Sequence, residues 1–158
     1  MTDINDICDF TIFRLVESGV SLNNLKLQKL LYYHQAWSLA LRNETLFDGK
    51  FEAWVHGPVN RAIFDRFSDS KSLYSVVAKP DIRPEFDEST IETEPKLHVL
   101  SVLEAYGDFA DTQLEDMTHR EEPWIEARNG IPQNQRCETE IREDTMRRFY
   151  AKRVSSGG

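Results

Sequence analysis

A chain of 158 residues that is 40% hydrophobic and carries nine Phe, three Trp and five Tyr can bury a sizeable single core and is not a disordered tail. With 19 Lys and Arg against 27 Asp and Glu its formal charge is −8 and no basic stripe interrupts that balance, which excludes the phosphate backbone of nucleic acid as a direct partner. The acidic opening Met1-Thr2-Asp3 is no signal peptide, no apolar run nears the roughly 20 residues of a membrane span, and Cys8 and Cys137 show neither metal spacing nor a disulfide framework, so a reducing cytoplasm is expected.

The first helix is expected from Asp3 to Ser18. Asp3 caps it, Ile4, Ile7, Cys8, Ile12 and Leu15 recur at helical spacing, and Gly19 can take a left-handed exit. A second helix, capped by Asn23 or Asn24, runs to Arg42. Leu27, Leu30, Leu31, Trp37 and Leu41 form its main stripe, which Tyr33, Ala36 and Ala40 widen. A helix apolar on so many faces belongs at the centre of a small domain. Lys26 and Lys29 open it, either as solvated side chains whose stems cover apolar surface or as a basic pair exposed to meet an acidic partner.

Thr45–Phe47 and Lys50–Trp54 are β-prone and flank Asp48-Gly49, which predicts a hairpin turning there. Pro58 is then expected at the first position of a third helix, with Val59, Ala62, Ile63 and Phe67 inward. Residues 68–94 are the least regular: 72–78 could add a short strand, and Pro80 and Pro84 forbid a continuous helix between them. Pro95 opens a fourth helix whose apolar residues Leu97, Leu100, Val102, Leu103 and Tyr106 end at Gly107. Thr112-Gln113-Leu114-Glu115 reads as a capping box for a fifth, and Pro123 starts a sixth that Asn129-Gly130 stops. Thr139 is the expected cap of the last, whose acidic start and basic end suit the helix dipole. Glu138–Arg142, Glu143–Arg147 and Asp144–Arg148 are its acid-first pairs. The fold class is α+β, mainly α: a compact single domain over residues 1–154, with about six to seven helices and a small antiparallel β-hairpin. Residues 155–158, Ser-Ser-Gly-Gly, are expected to be a flexible tail.

Little in the sequence announces chemistry. His56 and His119, with Glu121 nearby, would be the acid/base or metal residues of a small hydrolase, but metal spacings such as HExxH or CxxC do not occur. The favoured reading is that each imidazole ties a loop backbone in place. Cys8 lies on an apolar stripe and reads as packing, whereas Cys137 sits in a polar loop and is expected to be exposed. No catalytic residue, metal or cofactor is assigned. Trp54 and Trp124 join Tyr32, Tyr33 and Trp37 as aromatic residues mostly suited to a core, one or two of which could anchor a partner.

Three pieces stand in order: Leu25-Lys26-Leu27-Gln28-Lys29-Leu30-Leu31-Tyr32-Tyr33, then Glu52-Ala53-Trp54 with Gly57-Pro58-Val59, then Thr118-His119 with Pro123-Trp124. Together they resemble the Panacea domain of SocA-like antitoxins over Leu22 to Tyr150. The resemblance departs at His56, where a tyrosine or similar ring often precedes the glycine. It implies an antitoxin of a two-gene module, often carried on prophages, that binds the protein toxin encoded by a neighbouring gene. A SocA-like variant of that role is an adaptor delivering the toxin to a Clp-type protease. By the resemblance, Gly57, Pro58, Thr118, His119, Pro123 and Trp124 are structural motif residues. Lys26, Lys29, Tyr32, Tyr33, Trp54 and His56, on the second helix and the hairpin, are the expected partner-binding residues.

Overall fold

A computed structural model describes residues 1–155. Of the expected tail, Ser155 is the last residue of the final helix, and 156–158 lie outside the described residues. Local chemistry sets the first two starts. Asp3 accepts the Asn5 amide to begin α1 (Ile4–Glu17), and Asn23 accepts the Lys26 amide to begin α2 (Asn24–Arg42), which Asn43 ends at φ 55°. Side-chain oxygens there satisfy amides that a helix start leaves orphaned. α2 is the axis, buried from Asn24 to Ala36 without interruption. Its exposed end corrects one expectation: Leu41 is 56% exposed and not part of the core stripe.

The hairpin forms further along than Asp48-Gly49. β1 (Glu52–Trp54) pairs antiparallel with β2 (Gly57–Val59), Ala53 opposite Pro58, across a Val55-His56 turn. The reason lies in α2. Gln35 Oε1 accepts the amides of Leu46 and Phe47 at 2.8 and 3.3 Å, and its Nε2 donates to the Phe47 carbonyl at 2.8 Å. Backbone expected to become a strand is thus satisfied by a side chain. Gln35→Leu is expected to cost about 2–4 kcal/mol by stranding those buried groups, read as a lower urea midpoint. Pro58 lies in β2 and starts no helix. α3 (Arg61–Phe67) begins at the better cap, Asn60, whose Oδ1 accepts the Ile63 amide at 3.0 Å while Gln28 Oε1 holds the Asn60 amide at 2.8 Å.

The irregular stretch is pinned by charge and by helix ends. Asp9, fully buried in α1, accepts from Arg66 at 2.5 Å and from Arg83 at 2.6 Å. Residues 72–78 cross the start of α2, where Ser75 and Leu73 carbonyls accept the Asn24 and Leu25 amides. The strand expected there is reduced to one bridge, Asn23 with Val76. α4 (Thr93–Tyr106) carries Pro95 inside its first turn, and of its apolar residues Val102, Leu103 and Tyr106 are buried while Leu97 is 59% exposed. α5 (Asp111–His119) starts before the expected box, with Gln113 Oε1 accepting the Ala110 amide at 2.8 Å. α6 (Glu122–Arg128) stops as expected at Asn129-Gly130, both at positive φ.

Thr139 is not a helix cap. Its carbonyl accepts the Ala53 amide at 2.9 Å and the Ile141 amide donates to Phe51 O at 2.7 Å, so this segment lies along the open edge of β1. α7 (Glu143–Ser155) follows and packs across α2. Its carboxylates find partners other than the expected i,i+4 ones: Glu143 meets Lys50 at 3.0 Å, Asp144 meets Arg147, and Glu138, outside the helix, meets Arg136 and Arg61. The described residues therefore make seven α-helices and a two-stranded antiparallel hairpin around α2. No helix among them is long and apolar enough to cross a membrane.

Candidate functional site

The three ordered motifs meet at the hairpin turn, and they hold it by its carbonyls. Arg128 Nη1 donates to Ala53 O, Trp124 Nε1 to Trp54 O and His119 Nε2 to Val55 O, each at 2.8 Å. Lys29 Nζ donates to Pro58 O at 2.9 Å. The clamping side chains pack on one another, with the Arg128 guanidinium 4.8 Å from the Trp124 ring centre and the His119 ring 4.3 Å from it. Because Nε2 of His119 donates, its Nδ1 is left to accept from Gln133 Nε2 at 3.2 Å, which fixes a neutral tautomer. Burial is the chief cause holding the His119 pKa below the ordinary histidine value. Arg128 is a residue that sequence reasoning missed. Its position four after Trp124, on the same face of a short helix, was the available signal.

Gly57 explains why the turn fits so closely. At φ +102° it occupies backbone space that side chains disfavour, and a Cβ there would lie 2.5 Å from Lys29 Cε and 2.8 Å from Thr118 Oγ1. Lys29 is fully buried, and burial pushes its ammonium down to about 7 against the weaker pull of Glu115. Lys26 is buried too, donating to Gly107 O at 2.6 Å, with its pKa lowered mainly by burial. Neither lysine is the exposed basic contact considered from sequence, because carbonyls distant in the chain accept their hydrogen bonds. Pro123 is buried on α6.

Tyr32 and Tyr33 are also interior. Tyr33 and Tyr150 donate to Glu121 Oε1 at 2.9 and 2.6 Å, the Tyr150 and Tyr32 hydroxyls lie 3.2 Å apart, and Arg153 reaches Glu121 Oε2 at 3.1 Å. Tyr33 stacks on Tyr106 at 4.2 Å. Burial raises the Glu121 carboxyl above the usual range, opposed by the tyrosine hydrogen bonds and Arg153. Glu121 thus closes α7 onto α2. With its oxygens and both ring nitrogens of His119 committed, the alternative acid/base grouping of His56, His119 and Glu121 is not assembled, and His119 does tie a loop backbone in place. Among the described residues no group of three His, Cys, Asp or Glu is placed to hold a metal ion. The other histidines are structural in setting as well. His34 Nε2 meets Thr11 Oγ1 at 3.0 Å, and His98 Nε2 meets the His34 carbonyl at 2.8 Å.

Of the six residues expected to bind a partner, Trp54 and His56 reach the surface. Trp54 is half-buried, edge-on to Phe64 at 4.9 Å with Arg61 5.3 Å from its ring centre. His56 has a side chain 42% exposed, with Nδ1 3.4 Å from Glu115 Oε1. A cleft of about 320 Å³ beside them is lined by Trp54, His56, Arg61, Phe64, Arg136 and Cys137. Cys137 is buried, not exposed, since the segment leading to Thr139 folds against β1.

Over 97% of this chain and 85% of the relative, the sequence is 27% identical to Antitoxin SocA of Caulobacter vibrioides (strain NA1000 / CB15N). No solved structure matches it. Residues 27–125 match the family described as Antitoxin SocA-like, Panacea domain. That span takes in nearly all of α2, the whole hairpin and the Thr118–Trp124 segment that grips it, and the chain accordingly belongs to the SocA-like, Panacea-domain antitoxin family.

Proposed function

We propose that this protein is an antitoxin that neutralises the protein toxin of a neighbouring gene by binding it directly through its folded domain in the cytoplasm. Membership of the SocA-like antitoxin family is the observation that carries this reading. The geometry supports a division of labour within it. Gly57, Pro58, Thr118, His119, Pro123 and Trp124 hold the hairpin from inside, and the outer face of the same hairpin, with Trp54 and His56, is free to meet a partner. The net charge of −8 favours association with a toxin whose own site is cationic.

An occluding antitoxin must hold nearly all of its toxin, which calls for a nanomolar or tighter constant, about −12 kcal/mol. Co-expression with the adjacent gene, followed by purification, tests this. A stoichiometric complex that restores growth supports occlusion. Rescue at sub-stoichiometric antitoxin, and only with a Clp-type protease present, would replace it by the adaptor role. A toxin-free neighbourhood with nothing co-purifying would end the antitoxin reading. Catalysis is separable from binding: the toxin recovered from the complex is expected to have an unchanged mass, and a covalent change of the toxin that a toxin-binding His119→Gln variant no longer makes would restore the hydrolase alternative.

A further inference from the structure

Beyond the hairpin itself lies a surface that the sequence motifs do not include. Residues 72–78 pass over the start of α2 and leave Tyr74 57% and Val76 65% exposed, although neighbouring Val77 is in the core at 1%. The backbone underneath is tied down: Val77 N donates to Leu22 O at 2.9 Å, and the Leu73 and Ser75 carbonyls accept α2 amides at 2.7 and 3.1 Å. The outward side chains therefore stand on a fixed ledge. Tyr74 reaches the hairpin turn, its ring edge-on to His56 at 6.2 Å. On its other side Tyr74 and Val76 line a depression of about 250 Å³ with Ala110, Asp111 and Asn23. Two neighbouring apolar side chains on a fixed backbone can be covered by a partner with little ordering cost in the backbone.

The charge that faces outward around this ledge is mostly acidic. Asp111 lies in the depression, Glu115 faces His56, and Asp108 is close enough to Lys26 to act on it. Lys26 also lines the depression, but its ammonium is committed to Gly107 O, and Lys29 is buried on Pro58 O. Asp111 further holds Asn23 Nδ2 at 2.6 Å, so its carboxylate is fixed at the rim. An apolar ledge framed by ordered carboxylates fits a surface of opposite pattern, an apolar tip among lysines or arginines.

We propose that the Tyr74–Val76 ledge, continuous with His56, is the docking site for the toxin, and that it receives a cationic, apolar-tipped segment. This rests on the antitoxin reading above and adds the face and the chemistry of the partner. The site lies at the amino-terminal end of α2, whereas exposed Leu41, near the carboxyl end of α2, and exposed Leu97 on α4 serve as a control of matching apolarity.

The experiment uses the tagged polypeptide of the adjacent gene, co-expressed with the full chain. Tyr74→Ala/Val76→Ser is expected to weaken binding by about 100-fold or more, as removal of central anchors does, and to abolish rescue, with the thermal midpoint close to wild type. Leu41→Ser/Leu97→Ser should bind within about 3-fold of wild type. Wild-type association should also slow steeply between low and high salt. Should the double variant fold poorly, Tyr74→Ser alone carries the test, because its side chain is mostly in solvent. Wild type binding the polypeptide while the ledge variants bind equally well would overturn the ledge and leave the antitoxin reading intact. Salt-insensitive association would overturn the cationic partner. A wild type that binds nothing would overturn both.

Discussion

Gly57→Ala is expected to lower the free energy of unfolding by about 2–4 kcal/mol, adding the strain of a left-handed non-glycine residue to that of an overfilled site. The methyl group would sit 2.5 Å from Lys29 Cε and 2.8 Å from Thr118 Oγ1. Lys29 is a long side chain, yet it has nowhere to retreat, since it is fully buried and its ammonium is committed to Pro58 O. Urea denaturation reads the result. Equal midpoints for variant and wild type would show that the turn relaxes freely and is not gripped. Gly19, also at positive φ but in a place where an added Cβ would meet nothing within 4 Å, is the control that isolates backbone strain from crowding.

The second large effect is a pH dependence owed to Lys29. Its ordinary value is 10.5, and burial pushes it down to about 7 in the fold. Between those values the unfolded chain binds a proton that the folded chain has shed, so stability rises with pH. The slope approaches about 1.4 kcal/mol per pH unit, giving about 2 kcal/mol between pH 7 and 9. Lys29→Met, of similar length and without the charge, is expected to remove that rise. The window closes above pH 9 because burial pushes the Cys8 thiol up to about 12, and the unfolded chain then sheds a proton that the fold retains. Parallel stability curves for wild type and Lys29→Met across pH 7–9 would mean that the ammonium reaches water in the folded state.

Local chemistry was legible in the sequence. The Asp3 cap and the Asn129-Gly130 stop depend on residues a few positions away and appear as read, and of the two candidates Asn23 and Asn24 it is Asn23 that caps α2. The hairpin and its antiparallel sense were legible, but its position was not. Asp48-Gly49 lost to Gln35, whose hold on Leu46 and Phe47 spans 11 and 12 residues. Helix three moved from Pro58 to Arg61 because Gln28 and Lys50 both grip Asn60. The candidate site was half legible. Its motif residues do converge, but Lys26, Lys29, Tyr32 and Tyr33 face inward. Pattern alone cannot tell a lysine that meets a partner from one whose acceptor is a carbonyl 29 or 81 residues along the chain.

The segment from Thr139 to Ile141 has a consequence for how any partner can recognise this fold. It occupies one flank of β1 while β2 occupies the other. Beyond β2, Pro58 has no amide hydrogen, its carbonyl is spent on Lys29, and the Asn60 amide that follows is spent on Gln28. The small sheet consequently offers no row of unmet backbone groups to template another strand. A second copy cannot extend it, which guards the chain against edge-to-edge aggregation. A toxin cannot lengthen it either, so selectivity must be written in side chains, which vary more readily than backbone geometry and let one scaffold be refitted to a different opponent.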